Sequence, residues 1–179
     1  MKKIVLVCGL IAGIIVTAMM VISIAVCYNS GNFEGNMWLG YATMLIAFSL
    51  IFVGIKNYRD KHNGGVISFG KAFKIGLCIT LIASSMYVLV WVIDYHFFVP
   101  DFMEKYSAHV ISEAKANGAS QAEITEQVKM MDTYKQMYKN PVTLVLITYA
   151  EILPIGLVVT LISALILKRK NNRQPQPAM

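Results

Sequence analysis

Two residues in the stretch "YAEILPIG", Glu151 and Pro154, could do chemistry where their neighbours cannot. A carboxylate in the middle of a membrane costs about 2.5 kcal/mol or more, so it is normally turned inward and paired or neutral. It can then serve as a structural hydrogen-bonding group, or it can take up and release a proton or a cation. No Lys or Arg is expected at its depth, so Glu151 is expected to be neutral at pH 7 and to donate a hydrogen bond. Pro154 lacks an N–H, which leaves the carbonyl of Ala150 unpaired beside the acid. A kink there would open room.

Depth along the helices decides which partners could reach Glu151. At about 1.5 Å per residue it lies about 15 Å in from Pro141. Ser84 and Ser85 lie about 15 Å from Lys74, and Ser49 about 18 Å from Met37. The candidate intramembrane polar site is therefore Glu151, Pro154, Ser84, Ser85 and Ser49. Asp94 is about 30 Å from Lys74 and belongs at the interface, away from Glu151. On an ideal helix Glu151 points about 140° away from Gly156. The fourth span must then pack on two faces, or the kink must turn one half.

The other reactive residue types offer less. His109 has no second His at helical spacing, so it reads as a surface residue rather than a metal ligand. Cys8, Cys27 and Cys78 sit in apolar segments and read as small apolar fillers, with no CxxC. Gly64-Gly65 lacks the spacing and preceding strand of a phosphate loop. These residues supply no catalytic set, no cofactor motif and no metal site, so neither an enzyme nor a cofactor is expected.

The elements that position Glu151 follow from composition. Apolar residues make up 56% of the 179 residues, charged residues 15%, and mean hydropathy is +0.58. Long stretches carry no charge, which marks a chain embedded in a lipid bilayer. Four runs, about 4–28, 37–55, 72–98 and 141–167, are long enough to cross a core of about 30 Å as helices. They form one membrane domain over 1–170, and the tail 171–179 is expected to be disordered. The first run is longer than the apolar stretch of a signal peptide, so an uncleaved anchor is expected.

Orientation follows from the basic residues. Lys2 and Lys3, the loop residues Lys56, Arg59, Lys61, Lys71 and Lys74, and the tail residues Lys168, Arg169, Lys170 and Arg173 all fall on one side of a four-span chain. By the positive-inside rule that side is cytoplasmic, with both termini inside. The basic loop can meet anionic headgroups. The net charge of +6 does not point to nucleic acid, because no basic patch is interleaved with exposed aromatics.

Residues 101–140 then lie outside. Phe102, Tyr106, Val110 and Ala114 form one helical stripe. Asn117-Gly118 breaks it, Ser120 and Glu123 form a capping box, and a second stripe runs from Ile124 to Tyr138. The fold class is thus an all-α membrane protein of four transmembrane helices, with a two-helix extracytoplasmic insertion between spans three and four. Small residues recur every fourth position at Gly9, Gly13 and Thr17, at Gly76, Thr80 and Ser84, and at Gly156, Thr160 and Ala164. Such rows let helices approach closely, within a chain or between chains.

The order of several features resembles a family of bacterial integral-membrane proteins, domain of unknown function 4199. They are Gly9-Leu-Ile-Ala-Gly13, Tyr58-Arg59-Asp60, Gly64-Gly65, Phe69-Gly70-Lys71-Ala72 and Gly76, then Pro100-Asp101-Phe102, Asn140-Pro141, Glu151-Ile-Leu-Pro154-Ile-Gly156 and Lys168-Arg169-Lys170. The resemblance implies a four-span protein of the inner membrane and supplies no catalytic residues. Two functions are carried forward. One is a structural or interaction protein, with a homo-oligomer or a membrane-protein partner. The other is a proton- or cation-handling subunit of a transporter or channel that uses Glu151.

Overall fold

The structure, a computed structural model, describes residues 1–31, 33 and 37–169. The tail expectation at 171–179 lies outside the described residues, as does part of the connection between the first two helices. Six helices follow one another: α1 (Lys2–Ser30), α2 (Met37–His62), α3 (Phe69–Phe97), α4 (Phe102–Ala116), α5 (Gln121–Lys139) and α6 (Pro141–Leu167). Apart from one isolated antiparallel bridge, the described residues hold only helices and their connections. Four helices, α1, α2, α3 and α6, are long and apolar enough to cross a membrane. α2 runs on to His62, about two turns past the expected end at Ile55, because a helix need not stop where the lipid does.

The ends of these helices carry the signals read from the sequence. Ser68 caps α3 by accepting from the Lys71 N–H. Ser120 and Glu123 close a reciprocal capping box on α5. Asn140 caps α6 with Pro141 in its first turn. Gly118, at φ +77°, supplies the left-handed turn between α4 and α5 that a side chain would resist.

α1 packs against α2 and α3, and α6 packs against the same two helices. The four spans therefore stand around a square in the order α1, α2, α6, α3. Lipid supplies no hydrophobic force between helices, so close approach must do the work. The small-residue rows fill that role inside the chain. A Cβ on Gly9 would lie 2.9 Å from Ile82, and one on Gly76 would lie 2.7 Å from the Thr160 methyl. Thr80 sits between, donating to the Gly156 carbonyl at 3.3 Å and pairing with the Thr160 hydroxyl at 3.1 Å. Phe48, Ile51, Ile79 and Ile152 fill the centre completely. Gly54, which stands outside these rows, also permits contact, with Ile79 and Cys8 at its Cα.

The two ends of the bundle differ. At one end, α4 and α5 fold over the helices and bury Met103 and Met131. Trp91, Val99 and Leu144 form a second apolar cluster beneath them, separate from the main core. At the other end the basic connection is folded rather than loose. Ile67 and Arg169 exchange two backbone hydrogen bonds, of 3.0 and 2.8 Å. Arg59 reaches the Leu167 carbonyl at 3.5 Å and pairs with Asp60 at 2.6 Å. Lys71 donates to Asn63 and lies over the Tyr58 ring. Lys56, Lys61 and Lys74 remain exposed. The connection between α2 and α3 is thereby clasped to the end of α6.

Candidate functional site

Glu151 is held on α6 one turn after Thr148, a residue that is itself buried and bonded to its own helix. The side chain borders two cavities. One, of about 180 Å³, is lined by α1 and α2 (Met19, Met20, Ser23, Thr43 and Met44 among others) with Tyr87 and Glu151. The other, of about 300 Å³, lies under the cap and is lined by Trp91, Phe102, Tyr106 and Tyr138, again with Tyr87 and Glu151. Met20 and Ile24 of α1 border both. At about 30 Å³ for each water, either space holds several. The carboxylate thus stands between two spaces, with the Tyr87 hydroxyl donating to it at 3.4 Å.

Among the five site residues expected from the sequence, the structure does not assemble a serine layer. Ser85 pairs with the Tyr149 hydroxyl at 2.8 Å, on an exposed face. Ser49 is exposed and bonds back to the Ile46 carbonyl of its own helix. Ser84 is fully buried, has no partner among the described residues, and lines neither cavity. Equal depth is insufficient here, because each serine faces a different neighbour around the helix axis. The hydrogen-bonding neighbour of Glu151 is Tyr87, and the acid accepts from it rather than donates. Pro154 is exposed on an α6 that continues unbroken past it. Asp94 is half-buried near the capped end of α3, and its carbonyl accepts from the Phe98 and Val99 N–H groups.

The residues that shape the site are mostly aromatic, and Tyr87 and Trp91 carry no mark in the sequence that sets them apart from the apolar run around them. Tyr87 and Trp91 lie four apart on the buried face of α3, continuing the row of Thr80 and Ser84. Phe102, Tyr106 and Tyr138 were legible only as helical stripes. The rings brace one another. Trp91 meets Phe102 edge-on at 5.3 Å, Tyr95 meets Tyr138 at 5.4 Å, and Phe102 stacks on Tyr106 at 5.9 Å. Such pairs add about 0.5–1.5 kcal/mol each beyond burial. The Tyr138 phenol is pushed up to about 12, by burial first and by the nearby Glu151 charge second, so it keeps its proton throughout the physiological range.

A polar clasp fixes the start of α4 to the end of α1. The Tyr28 hydroxyl donates to the Asp101 carboxylate. Lys105 pairs with Asp101 at 3.1 Å and sits 3.7 Å above the Tyr28 ring. The Asp101 carboxyl is held below the usual carboxylate range, first by Tyr28 and then by Lys105. A depressed acid stabilises the folded form above its ordinary range, near pH 4, and that contribution disappears as pH falls through the lowered value. Asp101→Asn is expected to mimic the acid end at neutral pH. Amide hydrogen exchange should then rise at residues 101–106 while α3 stays protected, and unchanged exchange at 101–106 would remove the clasp from the account.

Among the described residues, no group of three or more His, Cys, Asp or Glu side chains converges. The chemistry on offer at the cavities is one carboxylate, several phenols and two aliphatic hydroxyls. The family model "Protein of unknown function (DUF4199)" matches residues 8–169. The chain belongs to this family. The matched region takes in Tyr87, Trp91, Asp101, Tyr138 and Glu151, so the whole candidate site is family sequence rather than an appendage. No curated protein and no solved structure matches the chain.

Proposed function

We propose that the protein is a multi-pass protein of the bacterial cytoplasmic membrane that handles protons or small cations at Glu151. Both termini and the basic connection lie in the cytoplasm, and the α4–α5 cap lies outside. The observation that carries the reading is the placement of Glu151 between two cavities, the larger directly beneath the cap. A carboxylate that served only to join helices would be enclosed by its partners. This one accepts a hydrogen bond from a single phenol, Tyr87, and borders both cavities. The structural or interaction reading is weakened by the small-residue rows. Gly9, Gly76 and Gly156 are already filled by Ile82, Thr160 and Thr80 of the same chain. Binding and release, with no covalent step, is the activity proposed.

The orientation rests on the uneven spread of Lys and Arg: 11 of the 16 fall at the two termini and the 56–74 connection, whereas the five lysines of 101–140 stand among six acids. Four spans are few for a complete transport path, so the working unit is an oligomer or a complex with another membrane protein.

One experiment tests water access, sidedness and charge together. Ser23 lines the smaller cavity with Glu151. In a chain with Cys8, Cys27 and Cys78 replaced by alanine, Ser23→Cys is expected to react with impermeant thiosulfonates added outside intact cells. After correction for intrinsic reactivity, the cationic reagent should react about tenfold faster than the anionic one, because a local charge concentrates counter-ions in a low-dielectric cleft. Glu151→Gln should abolish that preference. A thiol that reacts only from the cytoplasmic side, or that shows no charge preference, would defeat the proposal.

A further inference from the structure

We infer that the cavity under the cap is a site for an organic ammonium ion, held by ring faces and neutralised by Glu151. The inference rests on the reading of Glu151 as the ion-accepting group and names the class of ion. Five aromatic side chains from three helices, Tyr87, Trp91, Phe102, Tyr106 and Tyr138, wall a space of about 300 Å³ together with that one carboxylate. No Lys or Arg lines it. Lys105, the nearest cation along α4, is engaged by Asp101 and Tyr28. An anion would therefore meet the Glu151 charge with nothing to balance it.

The walls also discriminate among cations. A hard metal ion exchanges its hydration shell for six or more oxygens. This cavity offers one carboxylate and the hydroxyls of three tyrosines, and the Tyr87 hydroxyl is already given to Glu151. Five of the eight lining residues are aromatic. Aromatic faces carry partial negative charge and attract ammonium groups, most strongly where water is excluded, and tryptophan does so best. A methylated ammonium holds its water weakly and needs no hydrogen bond from the wall. Its charge would be balanced by Glu151 and its methyl groups covered by the rings. A group the size of trimethylammonium fits the volume, and the second cavity beyond Tyr87 and Glu151, rich in methionine, can accept an attached chain.

The test uses the full-length protein in nanodiscs of phosphatidylethanolamine and phosphatidylglycerol, free of choline lipids. Choline is the probe, and 3,3-dimethyl-1-butanol, in which carbon replaces the charged nitrogen, is the control of equal shape. Saturable choline binding by equilibrium dialysis is expected, at least about tenfold tighter than the alcohol. Potassium in excess should not displace it. Glu151→Gln, which keeps shape and removes charge, should erase the preference for choline over the alcohol. Tyr106→Leu should weaken choline about tenfold, while Tyr106→Phe, which keeps the ring, should restore it. Phosphatidylcholine added to the disc assigns the source. Competition with free choline marks a lipid headgroup as the occupant, and unchanged affinity marks a soluble ammonium ion.

Equal binding of the alcohol, displacement by potassium, or choline binding that survives Glu151→Gln unchanged would each overturn the inference. Absence of choline binding would do the same. The two proposals fail separately. If Ser23→Cys keeps its Glu151-dependent charge preference but choline does not bind, the ion is a proton or an inorganic cation. If that preference is absent, the broader reading falls first.

Discussion

Gly156→Leu is expected to separate α3 from α6 and to destabilise the bundle by about 3 kcal/mol. The hydrogen at this position is a condition of the fold. Thr80 presses against the Gly156 backbone and hydrogen-bonds its carbonyl at 3.3 Å, and an added Cβ would meet Phe48 at 3.1 Å. Phe48 and Thr80 are themselves fully buried and have nowhere to retreat. Overpacking a filled core costs about 1–3 kcal/mol, and loss of the Thr80 bond adds about 1 kcal/mol. Gly156→Ala should show the lower part of that range. Titrating dodecyl sulfate into mixed micelles, with Trp91 fluorescence read in a Trp38→Phe background, measures the effect. Midpoints for the leucine variant that match the wild type would mean that α3 and α6 do not meet as described.

The second large effect is local. Trp91→Ala should cost about 3–5 kcal/mol, the usual loss for emptying a buried indole site, and should free the cap while sparing the main core. Trp91 is 6% exposed and belongs to the small cluster with Val99 and Leu144, apart from the cluster around Phe48 and Ile79. Its ring is also the meeting point of Tyr95 and Phe102. Hydrogen exchange should rise across α4 and α5, around Met103 and Met131, and stay low around Ile79. Uniform acceleration through the whole bundle would show that cap and core unfold as one unit, contrary to the two clusters.

The sequence made the helices legible because each is written in a local code. An unbroken apolar run becomes a span, a Ser-x-x-Glu pattern becomes the start of α5, and Asn-Gly becomes the turn before it. Glu151 was also legible, since a carboxylate in such a run has few innocent explanations. Its company was not. Depth along a helix can be counted, but azimuth depends on which neighbour each face meets. Ser49 and Ser85 share the approximate depth of Glu151 and point elsewhere, whereas Tyr87, from another helix, points at it. The aromatic roof was hidden for a related reason. Phe102, Tyr106 and Tyr138 are separated from Trp91 in the chain and are joined only when α4 and α5 fold back over the bundle. Their spacing shows amphipathic helices and does not say what those helices cover.

The backbone exchange between Ile67 and Arg169, with Arg59 reaching Leu167, has a mechanical outcome. It ties the ends of α2, α3 and α6 into a fixed pivot. Any spreading of these helices must then grow with distance from the pivot, as the arms of tweezers do. The greatest displacement falls at the far tips, where Trp91 and Tyr138 stand. A stiff joint on one side of the membrane thereby assigns the moving part to the other.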